Sequence, residues 1–125
     1  MLANAPVAPT VPVVDLARAG RSYEDVLGLR LQRRTENEAW YECGNGTMLL
    51  LYQREPTKAD HTVAGFVVDD VEQTVSELRE KGVRFEDYDL PGLKTVNGIA
   101  TTDTEKAAWF KDTEGNILAV AQIVK

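Results

Sequence analysis

At 125 residues, with 43% hydrophobic and 27% charged side chains, the chain has the make-up of one globular domain. A chain of this size buries roughly 65–70% of the surface that its unfolded form exposes. A formal net charge of −6, a pI near 4.8 and the absence of a Lys/Arg-rich block exclude the counterion-releasing face that nucleic-acid binding needs, and an acidic surface argues against an anionic membrane as partner.

Residues 1–5 read as a loose lead-in, and the opening MLANAPVAPTVPVV lacks the basic and apolar regions of a secretory signal. The longest apolar run, Met48 to Tyr52, is far short of the ~20 residues of a membrane span. With Cys43 as the single cysteine, no intrachain disulfide framework exists, and the expectation is a cytoplasmic protein. VAPTVPVV has the β-branched content of a strand, and Pro9 and Pro12, which cannot both serve a central ladder, place it at an edge or a strand start.

Asp15 stands as the N-cap of a helix through LARAGRSYEDVLG, with Leu16, Tyr23, Val26 and Leu27 on its apolar face and Gly28 as its stop. Gly20 inside it costs ~1 kcal/mol of helix propensity relative to Ala, so this helix depends on packing. RLQRRT, AWYEC and TMLLLYQ then read as three strands. Asn45-Gly46 marks a hairpin between the last two, because a type I′ turn needs positive φ at both central residues.

After REPTKAD the pattern restarts. HTVAGFVV is a strand, and Asp70 caps a helix over VEQTVSELREKG, with Val71, Val75 and Leu78 on one face. Gln73 stands at the reciprocal position of a capping box, and Gly82 ends the helix. VRFEDYDL follows, then a Gly-containing stretch to Asp103, then the hairpin KAAWFKDTEGNILAVAQIV. The caps Asp15 and Asp70 lie 55 residues apart, and each opens the same order of strand, cap, helix, Gly stop, strand. The expected fold is α+β: two tandem βαβββ modules, about 6–54 and 61–124, forming an open, curved mixed sheet around a cleft in a single domain, 1–125.

With both modules placed, the chain resembles the vicinal oxygen chelate superfamily, which contains glyoxalase I, extradiol dioxygenases, fosfomycin-resistance enzymes and bleomycin-resistance proteins. VVDLARAGRSYEDVLGL is similar to the family's strand–Asp–helix opening, and WFKDTEGNIL to its F-x-D-P-x-G-N hairpin. Ser22 departs from a usual aromatic and Thr113 from a usual Pro. The resemblance implies a metal site with one ligand on the first and last strand of each module. Carried over from the caps and the last strands, those positions are Ala8, Leu50, Val63 and Ala119. None has a donor atom, and a divalent metal needs N, O or S donors. The resemblance therefore points to the metal-free, bleomycin-resistance-like members, with no cofactor.

Strand alternation names what fills the face instead. A turn at Thr113-Glu114-Gly115 pairs Asp112 with Asn116 and puts Trp109 opposite Ala119; a turn at Asn45-Gly46 puts Tyr41 opposite Leu50. The expected ligand-binding set is Trp109, Tyr41, Tyr52, Met48, Leu50 and Val63, with His61 near an end, and Tyr88 and Lys94 as polar contacts from DYDLPGLKTVNG. Two alternatives stay open: these residues fill a core, and that segment is a plain connection with a short strand at LKTV rather than a lid. Trp40 and Phe110 are expected beneath the helices.

No G-x-S-x-G, phosphate-cradling Gly loop or H-E-x-x-H is present, and Cys43 has no basic neighbour in sequence. The functional expectation is sequestration of an apolar or aromatic small molecule by a homodimer without chemistry. Two other readings are a metal-dependent lyase, isomerase or dioxygenase with displaced ligands including His61, and a dimeric interaction protein with a closed cleft.

Overall fold

The computed structural model describes residues 1–124. The chain divides into two compact units, Met1–Lys58 and a second that begins at Ala59.

In the first unit, the lead-in closes one 3-10 turn, Leu2–Asn4, with the Ala5 N–H on the Leu2 carbonyl at 3.0 Å. Strand β1 is Thr10–Val13, helix α1 Leu16–Asp25, β2 Arg30–Arg34, β3 Glu38–Glu42 and β4 Met48–Gln53. The sheet order is β1-β4-β3-β2, with β1 and β4 parallel and the other pairs antiparallel. The prolines explain the marginal place of β1. The carbonyls of Pro9 and Val13 accept from the N–H groups of Leu50 and Arg54, at 3.0 and 2.9 Å. Odd-numbered residues thus carry the ladder, and Pro12, which has no N–H, falls on the side away from β4.

Asp15 Oδ1 accepts from the Arg18 N–H at 3.0 Å, as its cap position requires. The helix ends at Asp25, ahead of the expected Val26 and Leu27, and the chain turns away at Gly28, whose φ of +76° lets the Leu29 N–H return to the Tyr23 carbonyl at 3.0 Å. Helix α1 packs on β3 and β4.

In the second unit, β5 is Thr62–Val67, α2 Val71–Glu80, β6 Asp89–Leu90, β7 Leu93–Val96, β8 Ile99–Thr101, β9 Glu105–Lys111 and β10 Ile117–Ile123. The order is β5-β10-β9-β8-β7-β6, with β5 and β10 parallel and the rest antiparallel. Asp70 Oδ1 accepts from the Gln73 N–H at 3.1 Å. The expected capping box does not form, because Gln73 Nε2 donates forward to Glu77 Oε1 at 3.0 Å, one turn along the same face. The segment expected as the strand VRFEDYDL contributes only a bridge, Phe85 to Phe110, before β6. DYDLPGLKTVNG folds into the β6–β7 hairpin and a turn at Asn97-Gly98, both at positive φ, that leads into β8. Of the two alternatives for that segment, the strand at LKTV is the one observed.

One device recurs in both units. The first helical N–H has no partner within its helix, and a glutamine from the last strand supplies one. Gln53 Oε1 accepts from the Leu16 N–H at 3.3 Å, and Gln122 Oε1 from the Val71 N–H at 2.9 Å. Among the described residues, no helix is long and apolar enough to cross a membrane.

Candidate functional site

Each sheet has one face against its helix and one face without. In the first unit, Val11, Val13, Ala39, Tyr41, Leu49 and Leu51 lie on the α1 face and are buried. Thr10, Pro12, Trp40, Met48, Leu50 and Tyr52 lie on the other.

Here the structure corrects two expectations. Tyr41 stands opposite Leu49, not Leu50, and Trp40 stands opposite Leu50 instead of under the helix. The reason is one extra residue in the hairpin. Asn45 (φ 56°, ψ 34°) and Gly46 (φ 73°) form the expected type I′ turn, closed by the Thr47 N–H on the Gly44 carbonyl at 3.1 Å. However, the Cys43 N–H donates to the Thr47 carbonyl at 2.7 Å, so Gly44 joins the loop. A shift of one residue carries every side chain of a strand to the opposite face.

Tyr41 is accordingly a core residue with 0% exposure. Its ring stacks with Tyr23 at 6.3 Å between centroids, and its hydroxyl donates to Glu24 Oε2 at 2.8 Å. Burial first, and then the bond to Glu24, push its phenol pKa far above the ordinary tyrosine value. Gly20 makes this approach possible, because a Cβ there would stand 3.1 Å from the Tyr41 hydroxyl oxygen. The helix-weakening glycine thus has a packing reason.

Trp40 occupies the face assigned to Tyr41. Its ring lies half-buried, 6.0 Å from the Arg33 guanidinium carbon. Its Nε1–H is shielded from solvent and has no acceptor among the described residues.

In the second unit the expected register holds. Trp109 pairs with Ala119, and the Asp112 N–H donates to the Asn116 carbonyl at 2.9 Å. Phe110 is buried on the α2 face, with Phe85 edge-on at 5.4 Å. On the helix-free face, Trp109 meets Tyr88 edge-to-face at 5.6 Å and 78°. Burial, and then the charge of Glu86, raise the Tyr88 phenol pKa. Below this corner the sheet presents short side chains on the same face: Ala107 beside Trp109 on β9, Ala119 and Ala121 on β10, and Gly65 on β5. Val63 lies at the register shift between β5 and β10 and has no paired residue there.

The remaining expected residues are more dispersed. Lys94 is exposed on β7 opposite Asp89. His61 precedes β5 with a side chain 74% exposed, its Nδ1 3.7 Å from Asp60 Oδ1. Of the four positions expected to correspond to the superfamily's metal ligands, Leu50 and Ala119 keep only 7% and 9% of their surface exposed, and Ala8 and Val63 are half-buried. Four hydrocarbon side chains do not fit a divalent metal. Among the described residues, no three His, Cys, Asp or Glu side chains cluster as an alternative donor set.

The residue that takes the place expected for Tyr41 is Trp40, and a signal for it exists in the sequence. Trp40, Leu50 and Gln53 recur at Trp109, Ala119 and Gln122 with one constant offset. Both hairpins have three-residue loops, Gly44–Gly46 and residues 113–115, so the two tryptophans hold equivalent places.

On the α2 side, a groove of about 480 Å³ is lined by Glu72, Val75, Ser76, Arg79, Glu80, Asn97 and Ile99. Its one cationic side chain, Arg79, already donates to the Asn97 carbonyl at 2.8 Å and lies over Phe85 at 5.5 Å.

A model of the Glyoxalase/Bleomycin resistance protein/Dioxygenase superfamily matches residues 6–120. No curated protein matches the chain at a significant level. Among solved structures, TnmS3, an antibiotic binding protein from Streptomyces sp. CB03234, is 23% identical at a TM-score of 0.72, with 98% of each chain covered. Lactoylglutathione lyase from Agrobacterium tumefaciens is 21% identical at 0.71, covering 95% of this chain and 93% of that one. The fosfomycin resistance protein FosX from Listeria monocytogenes, complexed with Mn(II) and sulfate, is 10% identical at 0.71, covering 96% and 90%. Likenesses at such identities speak for the fold alone, whereas the family match runs through both tryptophans and both hairpins: the chain belongs to the Glyoxalase/Bleomycin resistance protein/Dioxygenase superfamily.

Proposed function

We propose that this chain is a binding protein for a planar, largely apolar small molecule, held against the helix-free face of the second unit's sheet without metal chemistry. The observation that carries the reading is the Trp109–Tyr88 corner beside Ala119. An aromatic wall stands where metal-using relatives are expected to hold a ligand atom, and this chain offers a methyl group. Stacking on such a wall is worth ~0.5–1.5 kcal/mol beyond the area buried. The fold shared with TnmS3, an antibiotic binding protein, supports the same reading.

The test is a titration of the whole protein with a flat hydrocarbon probe, fluorene, followed by tryptophan fluorescence and calorimetry. Trp109→Ala is expected to raise the Kd tenfold or more while circular dichroism stays native, and prior treatment with EDTA should leave the wild-type Kd unchanged. Equal affinity in Trp109→Ala removes the reading. A Kd that collapses after EDTA restores the metal-dependent alternative.

The same reading includes a homodimer, supported by exposed apolar side chains such as Val67 at 76% on the marginal strand β5. Light scattering at micromolar concentration should give twice the chain mass; the mass of a single chain would count against it.

A further inference from the structure

We propose that Asn45 is a site of spontaneous covalent modification, where the folded chain deamidates and forms isoaspartate, while the fold protects its other Asn-Gly pair, Asn97-Gly98. The inference is independent of the proposed binding function. In an Asn-Gly pair the glycine nitrogen attacks the asparagine Cγ. An N–Cγ bond forms, the Cγ–Nδ2 bond breaks, and the side-chain nitrogen leaves as ammonia with the proton from the glycine nitrogen. The product is a five-membered imide, which water opens. Attack at Cγ gives aspartate; attack at the main-chain carbonyl carbon gives isoaspartate, whose backbone runs through the side chain. Solvent water is the only co-reactant, and glycine suits the step because no Cβ crowds its nitrogen.

The sequence holds two such pairs, each with both residues at positive φ in a turn between antiparallel strands, β3–β4 and β7–β8. Ring closure swings the peptide plane between asparagine and glycine until its nitrogen meets Cγ. What holds that plane therefore sets the rate.

In the first pair, Asn45 and Gly46 are both exposed. The turn is closed by its own neighbours. The Thr47 N–H and Oγ1–H both donate to the Gly44 carbonyl, at 3.1 and 2.7 Å, and the Cys43 N–H donates to the Thr47 carbonyl at 2.7 Å. Among the described residues, no hydrogen bond runs from Asn45 or Gly46 to another element, and a Cβ on Gly46 would meet nothing within 4 Å.

In the second pair, both polar ends of the plane are clamped from outside the turn. The Gly98 N–H, which carries the attacking nitrogen, donates to Asp87 Oδ1 at 3.1 Å, and the Asn97 carbonyl accepts from Arg79 Nη2 of α2 at 2.8 Å. Gly98 is buried, and a Cβ there would stand 3.0 Å from both Arg79 Nη2 and Phe85 Cβ. Asn97 is thus an internal control of the same chemistry. At Asn45 the reaction has a structural consequence: isoaspartate lengthens the backbone of the loop whose residue count sets the β3–β4 register.

The experiment incubates the whole protein at mildly alkaline pH and follows both sites by peptide mass spectrometry, where either product gains about one dalton. An endoproteinase that cuts before aspartate but not before isoaspartate separates the two products. In the native chain Asn45 should react on the order of tenfold faster than Asn97, and in urea the two rates should converge to within about threefold. Asp87→Ala, which frees the Gly98 nitrogen, should speed Asn97 several-fold. Native Asn97 keeping pace with Asn45 overturns the proposal, as does an Asn45 that reacts only in urea. A gap that persists unchanged in urea also overturns it, since sequence rather than fold would then set the order. Should Asp87→Ala fail to fold, the comparison of native with urea-unfolded wild type decides alone.

Discussion

The two units run on one plan and differ in what stands on their helix-free faces. Both have an Asp cap, a glutamine from the last strand on the first helical N–H, a three-residue hairpin loop and a tryptophan three residues before the loop's first paired residue. In the first unit that tryptophan faces leucine and methionine with an arginine against it. In the second it faces alanine and glycine with a tyrosine at its edge. The charge divides as unevenly: acidic and basic residues balance in the first unit, and the whole net charge of −6 lies in the second. The shared features are those that the backbone needs, because they pair main-chain groups or fix register. The divergent ones are side chains on the helix-free faces, where, in the second unit, the proposed ligand would be read.

The sharpest way to break this comparison is at the alternation itself. Tyr41→Ala removes a fully buried ring and should cost ~3–5 kcal/mol, whereas Trp40→Ala, one residue earlier on the other face, should cost roughly half that. Urea titration of both variants decides it; equal losses would mean that the helix-free face is packed as tightly as the core. A smaller effect separates the two glutamines. Gln122→Ala leaves a helical N–H without its acceptor and should cost ~1 kcal/mol, and Gln53→Ala less, since its bond is 3.3 Å against 2.9 Å. The reverse order in thermal melts would show that the two units do not use the device alike.

How far the sequence could be read follows from the same alternation. The repeat, the caps, the Gly stops and the marginal first strand were legible because each rests on a local rule: a side-chain acceptor, a positive φ, a missing N–H. The register of the second hairpin is legible because Thr113-Glu114-Gly115 forms the whole loop between Asp112 and Asn116. The first failed by one residue, since Asn45-Gly46 names the turn type but says nothing about whether Gly44 joins the loop. The same dipeptide at Asn97-Gly98 marks the β7–β8 turn and would have divided a stretch that otherwise reads as a connection. Partners far apart in sequence, such as Gln122 with Val71 or Tyr41 with Glu24, leave no periodic trace, and neither does the orphan donor of Trp40.

The glutamine bonds also bear on the order of events during synthesis. Each ties the start of a helix to a strand that follows it by 37 or 51 residues. A nascent chain that has made α2 but not yet β10 holds a helix whose opening N–H lacks its acceptor and whose apolar face has only β9, without β10, to pack against. Helix first and sheet later is therefore a poor route for either unit, because closing so distant a contact precedes its reward. Each unit should instead acquire its structure in one late step, when its last strand arrives, completes the packing surface and supplies the missing acceptor. A ribosome stalled before Gln122 would then carry a finished first unit joined to a second one that has scarcely begun to fold.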